Sequence, residues 1–175
     1  FCILVAIYLL LFVSAILIRR KFKNRAVLTG GGSSGHIYPA IAIGKWLQPE
    51  INDFIFIGAK GRIEEKVVPK ENLQLKLIRA YPYSTSLTQF PKFLIFLMLG
   101  ILKCSFILCK FQPKFIIGTG GFVSAPVVFA GYGLKKLGLL NSKIILQEQN
   151  VSPGKLNLLA GKIADKVLVT FPQSL

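Results

Sequence analysis

Seven consecutive residues, Gly30-Gly31-Gly32-Ser33-Ser34-Gly35-His36, gather four glycines, two hydroxyls and the chain's single histidine behind a short apolar run. An imidazole exchanges protons near neutral pH, so His36 is a candidate base for a hydroxyl nucleophile. Glycines permit positive φ and close backbone approach, and a loop that opens a helix offers free N–H groups to an anion. Ser33 and Ser34 add side-chain donors. A tight strand–helix turn, with the histidine as a cap or core residue, accounts for the same residues without a ligand. The three residue types together favour a phosphate-bearing ligand. A nucleotide P-loop is excluded, because His36 rather than lysine follows Gly35. The dinucleotide spacing Gly-x-Gly-x-x-Gly is met by Gly30, Gly32 and Gly35, but the second strand ends Gly58-Ala59-Lys60 with no acidic residue for a ribose. Arg62 in place of that acid leaves an NADP-dependent oxidoreductase as a distant alternative.

Two further stretches carry chemistry. Gly118-Thr119-Gly120-Gly121-Phe122-Val123-Ser124 repeats the glycine-rich arrangement. Two such turns on one sheet edge can embrace a pyrophosphate from both sides. Gln147-Glu148-Gln149-Asn150 places four polar side chains after an apolar run. These suit sugar hydroxyls, with Glu148 as a hydroxyl ligand or base, although Asn150 or Ser152 before Pro153 also fits a helix cap.

The elements that must position these residues follow from the apolar patterning. Short apolar runs at 26–29, 54–58, 75–78, 115–118, 143–147 and 166–170 predict strands. Helical spacing predicts helices at 37–47, 62–68, 90–111, 124–136 and 153–163. Strands alternating with helices predict an α/β domain with a Rossmann-like parallel sheet.

Composition narrows the partners. The 175 residues hold 22 Lys and Arg against 7 Asp and Glu, a formal net charge of +15, and 53% are hydrophobic. A basic chain this apolar, with no nucleic-acid module, is expected at an anionic membrane surface and not on nucleic acid. The three cysteines form no C-x-x-C pair, so neither a metal site nor a disulfide framework is expected, and a reducing cytosolic setting fits. No cofactor is expected.

Residues 1–18 are uncharged and apolar, and Arg19, Arg20, Lys21, Lys23 and Arg25 follow. About 20 apolar residues span a bilayer. The pattern predicts a transmembrane helix at 1–18, a basic juxtamembrane linker at 19–25 and a cytoplasmic domain at 26–175. A cleaved signal peptide would carry its charges before the apolar run. The chain opens on Phe1 and closes just after a strand-like run, as a portion of a longer polypeptide would. The segment 90–111 is apolar nearly all round, with Lys92, Lys103 and Lys110 interspersed. It reads either as a buried crossover helix or as a helix lying against the bilayer, where lysines snorkel to lipid phosphates. The second reading makes Lys92, Phe93, Phe96, Leu97 and Lys103 the membrane contacts.

In order, the motifs GGSSGH at 31–36, GTGGFVSAPVV at 118–128, QEQNVSPGKLNLLA at 147–160 and ADKVLVTFP at 164–172 resemble the N-terminal domain of the MurG family. The segment from Ile57-Gly58 through Arg62-Ile63-Glu64 to Val68-Pro69 resembles the stretch between them. The resemblance implies the acceptor-binding half of a GT-B glycosyltransferase, with the C-terminal donor domain absent. It implies inverting transfer of GlcNAc from UDP-GlcNAc to the MurNAc 4-hydroxyl of lipid I, giving lipid II for peptidoglycan. It further implies acceptor diphosphate contacts at Gly31, Gly32, Gly118, Thr119, Gly120 and Gly121, and donor contacts at Ser33, Ser34, Gly35 and Asn150. His36 is implied as base and Glu148 as the acidic residue of the catalytic set. The location implied is the cytoplasmic face of the inner membrane. Two departures stand out: the family's usual GGTGGH reads GGSSGH, and Gln147 replaces a histidine. The apolar segment 1–18 is extra to the family and invites an FtsW-like fusion or neighbour among cell-division or elongation membrane proteins. A reading from another class is a non-catalytic anchored subunit that recruits a separate donor domain, as in split eukaryotic lipid-linked glycosylation.

Overall fold

The computed structural model describes residues 24–84 and 86–174. The predicted transmembrane helix at 1–18 and all but the end of the linker lie outside the described residues. Six strands form one all-parallel sheet: β1 (Arg25–Thr29), β2 (Asp53–Ala59), β3 (Gln74–Ile78), β4 (Phe115–Gly118), β5 (Lys143–Glu148) and β6 (Lys166–Val169). Their order is β3-β2-β1-β4-β5-β6. The helices are α1 (Ser34–Leu47), α2 (Glu64–Val67), α3 (Phe90–Phe111), α4 (Ser124–Lys136) and α5 (Lys155–Gly161). The expected Rossmann-like α/β architecture is therefore observed. The predicted helix at 62–68 is reduced to the single turn of α2, which passes into a 3-10 turn at Pro69–Glu71.

Alternation along the strands divides the core into two layers. Ala26, Leu28, Phe54 and Phe56 face α1, whose Ile37, Ala40 and Ile41 are buried against them. Val27, Ile55, Ile57, Ile116 and Ile144 face the other way, onto Cys104 and Leu108 of α3 and Val127, Val128 and Leu134 of α4. Both faces of the sheet are thus covered, which explains why its central strands are continuous apolar runs. Burial pushes the Cys104 thiol up to about 12 and the Cys109 thiol up to about 11. Both therefore sit in the core as small hydrophobes.

By length and composition α3 could cross a membrane. It is instead the crossover between β3 and β4 of one sheet, and Phe93, Gly100, Cys104, Ser105, Leu108 and Cys109 are buried along it. The opposite face is open: Leu94, Ile95, Met98, Leu99 and Phe106 are exposed. This corrects one expected membrane contact. Phe93 is only 5% exposed and meets the Tyr83 ring edge-on. Phe96 and Leu97 are half-buried at the margin, and Lys92 and Lys103 are exposed. The sequence of a helix apolar nearly all round does not say which side faces in, because no polar stripe marks the outer one.

Candidate functional site

Strand order reverses between β1 and β4, and in open parallel sheets ligands bind outside the carboxyl ends of the strands at that point. The loop after β1 carries Gly30–Ser33 and the loop after β4 carries Thr119–Val123. The two are tied together. The Gly31 N–H donates to the Gly120 carbonyl at 3.4 Å, and the Thr119 N–H to the Thr29 carbonyl at 2.9 Å. The Ser124 hydroxyl donates to the Gly120 carbonyl at 2.7 Å. Gly121 has φ +79°, and a Cβ on it would lie 2.0 Å from the Gly31 carbonyl oxygen. Clash with a backbone atom and left-handed strain add, so Gly121→Ala is expected to cost roughly 3 kcal/mol. Urea denaturation reads this directly, and an unshifted midpoint would mean that the loops are not interlocked.

A third group lies beneath the first loop. Glu64 of α2 is fully buried, and its Oε1 accepts the Gly32 N–H at 3.0 Å. Its Oε2 is buried without a hydrogen-bond partner. A Cβ on Gly31 would fall 2.0 Å from Oε1, so glycine there makes room for the carboxylate. Spacing gives no sign of this role, since either glutamate of the pair Glu64-Glu65 in a charged turn reads as solvated.

These bonds revise the expected diphosphate cradle. Gly31, Gly118, Thr119 and Gly120 are buried beneath the surface. The Gly31 and Gly32 N–H groups are already engaged, and the Thr119 hydroxyl donates to the His36 carbonyl at 2.5 Å. These residues build the loops, and other groups face the solvent. Among the described residues the N–H groups of Ser33, Ser34 and Gly35 have no partner, and Ser33 makes no side-chain capping bond at the start of α1. They form an open, exposed helix N-terminus on a 14-residue helix, where an anion is favoured. Gly121 remains half-exposed.

His36, in the first turn of α1, faces the second loop. Its Nδ1 lies 2.9 Å from the Thr119 carbonyl oxygen, which can only accept, so Nδ1 carries the proton. The Gln149 amide also meets Nδ1, at 2.5 Å. The atom placed there is Nε2 of Gln149, and an amide N–H would oppose the ring N–H, so the Nδ1–H tautomer goes with the amide turned to present its oxygen, which otherwise has no partner. The His36 Nε2 is left with its lone pair, the form a base requires. His36, Gly121 and Asn150 line one cleft of about 330 Å³ together with Tyr83, Phe122, Lys155 and Asn157. The Lys155 ammonium stands 5.5 Å over the Tyr83 ring. Sequence reasoning misses Tyr83, which comes from a distant loop, and Lys155 and Asn157, which stand two residues apart at the start of α5 with no motif to mark them.

Glu148 is not placed as a base. It is 3% exposed. Its Oε1 accepts the Asn150 N–H and Nδ2–H, both at 2.9 Å. Its Oε2 accepts the Gly154 N–H at 3.4 Å and the Asn157 Nδ2–H at 2.8 Å. The carboxylate organises the cleft wall. Among the described residues no three His, Cys, Asp or Glu side chains cluster as metal ligands would.

Comparison with known proteins identifies the family. The glycosyltransferase family 28 N-terminal domain model matches residues 26–169. The UDP-N-acetylglucosamine--N-acetylmuramyl-(pentapeptide) pyrophosphoryl-undecaprenol N-acetylglucosamine transferase of Caldicellulosiruptor saccharolyticus is 37% identical over 152 residues, 85% of this chain and 39% of its own length. The Bacillus subtilis protein of the same name is 34% identical over 154 residues, 86% of this chain and 40% of its own. The chain thus spans about two fifths of the length of the curated relatives it matches. Among solved structures, Acinetobacter baumannii MurG superimposes with a TM-score of 0.73 at 19% identity, covering 87% of this chain and 43% of that one. A putative UDP-N-acetylglucosamine 2-epimerase from Listeria monocytogenes gives 0.61 at 11% identity, covering 87% and 41%. At those identities the structural matches establish the fold, and a shared fold hosts different reactions.

Proposed function

We propose a function from this premise: the chain belongs to the glycosyltransferase family 28 N-terminal domain family. It is the acceptor-side half of an enzyme that transfers GlcNAc from UDP-GlcNAc to the MurNAc 4-hydroxyl of lipid I. The observation that carries the reading is the His36 ring, whose Nδ1–H is held by the Thr119 carbonyl while Nε2 is free at the sheet's switch point. In the reaction the acceptor hydroxyl gives its proton to Nε2 as its oxygen attacks the anomeric carbon from the face opposite the leaving UDP, inverting α to β. The unpartnered N–H groups of Ser33–Gly35 meet diphosphate charge, and Lys155 adds a cation to the cleft. Asn150, oriented by Glu148, binds a sugar hydroxyl. The open face of α3 lies on the cytoplasmic side of the membrane, with Leu94, Ile95, Met98 and Leu99 in the interface and Lys92 and Lys103 at lipid phosphates.

The test is transfer of labelled GlcNAc from UDP-GlcNAc to a lipid I analogue, using this chain joined to a donor-binding half. Transfer that needs both halves is the expected result. Absence of transfer by the joined protein would overturn the reading and favour a recruiting subunit without activity of its own.

A further inference from the structure

Two buried carboxylates serve the loops of the site, and they are held differently. Glu148 accepts four N–H groups. Glu64, 0% exposed, accepts one, the Gly32 N–H at 3.0 Å on Oε1, and its Oε2 has no partner among the described residues. No cation pairs with it: the ion pairs among the described residues join Arg25 to Asp53, Lys45 to Glu71 and Lys135 to Asp165. Arg62, two residues earlier in the chain, stands 5.7 Å over the Phe122 ring. A buried charge with a single hydrogen bond is costly to keep, and a neutral side chain of the same shape would be less so. The fold nonetheless makes room for it from two sides. A Cβ on Gly31 would lie 2.0 Å from Oε1, and one on Gly58 would lie 2.9 Å from the Glu64 Cβ.

What Glu64 does have is the positive end of α1. Gly32 stands two residues before that helix begins at Ser34, and the unpartnered N–H groups of Ser33, Ser34 and Gly35 follow it directly. The carboxylate therefore occupies the inner side of the same helix end whose outer side is open to an anion. One hydrogen bond to Gly32, one residue of backbone and one hydrogen bond to a ligand would separate the two anions, a path of no more than about 10 Å. Glu64 is fully buried, so salt and solvent screen it poorly. At that distance like charges in protein repel by enough to change an affinity about tenfold.

We infer that Glu64 is a resident anion that shares the positive end of α1 with the ligand and weakens its hold on a diphosphate ester, so that the site lets the ester go after each turnover. The inference rests on the reading of that helix end as a diphosphate contact. It assigns the carboxylate a part in affinity that its hydrogen bond to the loop does not require.

The experiment measures pyrophosphate binding to the full chain by titration calorimetry. Glu64→Gln keeps the volume and an oxygen for the Gly32 N–H, and removes the charge. It is expected to bind pyrophosphate about tenfold more tightly than wild type. Glu65→Gln removes an exposed charge one residue away and is expected to leave the affinity within about twofold. A damaged loop binds less and not more, so tightening separates a resident charge from a structural brace. UDP and farnesyl diphosphate are titrated beside pyrophosphate. The gain appears with the first if a nucleotide's diphosphate lies at α1, and with the second if a lipid's does. Unchanged or lowered affinity of Glu64→Gln for all three, with wild type binding, would overturn the inference and leave the diphosphate reading standing. Equal gains in Glu64→Gln and Glu65→Gln would reduce the effect to overall charge and overturn it too. No binding of any of the three, by wild type or by either variant, would sink the diphosphate reading itself and the inference with it. If Glu64→Gln does not fold, Glu64→Met, neutral and of similar volume, is expected to show the same gain. Failure of both to fold would make the carboxylate a structural necessity and overturn its role as a resident anion.

Discussion

His36→Ala, in the chain joined to its donor-binding half, is expected to lower kcat by about 10²–10⁴-fold and to change the KM for the lipid acceptor by about threefold or less. The size follows from what the ring does. A positioned base removes the hydroxyl proton as the bond forms, and a solvent water cannot be held with the same aim. The aim here is fixed by the Thr119 carbonyl, which holds Nδ1–H and so reserves Nε2 for the substrate, with the Gln149 amide packed against the same nitrogen. The ring also packs on the second glycine loop: Cβ atoms built on Gly120 and Gly121 would come within 3.0 Å and 3.2 Å of it. Alanine therefore removes packing as well as the base, and a second variant separates the two. His36→Gln can still donate an N–H to Thr119 but offers no base of comparable strength. It is expected to keep its Tm near wild type and to lose kcat as alanine does. A His36→Gln variant with wild-type turnover would remove His36 from the chemistry.

The strands and their glycine-terminated ends are legible in the sequence because buried parallel strands are apolar runs that must stop where the backbone turns at the ligand edge. The bounds of α3 are legible to the residue: Pro91 suits a first turn, and Gln112, with φ 50° just after Phe111, ends it in the left-handed region. The side of α3 that faces inward is not legible, so the expectation for Phe93 falls on the wrong face. The interlocking of the two glycine loops is also hidden. Its bonds join residues some 80 to 95 positions apart, such as His36 to Thr119 and Thr29 to Ser124. Glu64 escapes for a related reason. Burial of a carboxylate beneath a glycine loop follows from the space left by Gly31 and Gly58, which only the folded arrangement reveals.

Glu148→Gln is expected to destabilise the domain by about 2–4 kcal/mol, a loss that urea denaturation measures. A carboxylate has about four lone-pair positions, and four N–H groups fill them here. No position is left to take a proton from substrate, and at 3% exposure no solvent enters to free one. Glutamine has one oxygen instead of two. Its NH₂ must then oppose either the Asn150 pair or the Gly154 and Asn157 pair, leaving two part-buried donors without their acceptor. Both asparagines line the cleft beside His36, so the loss spreads to the site through their positions. The acceptor or donor KM should rise, and kcat should fall less than in the His36 variants, because the base is elsewhere. Glu148→Asp keeps the charge on a shorter arm and should recover part of the stability. The opposite pattern, a Glu148→Gln protein as stable as wild type with turnover abolished, would return Glu148 to the role of base. It would also mean that the four donors are not what the carboxylate is there to hold.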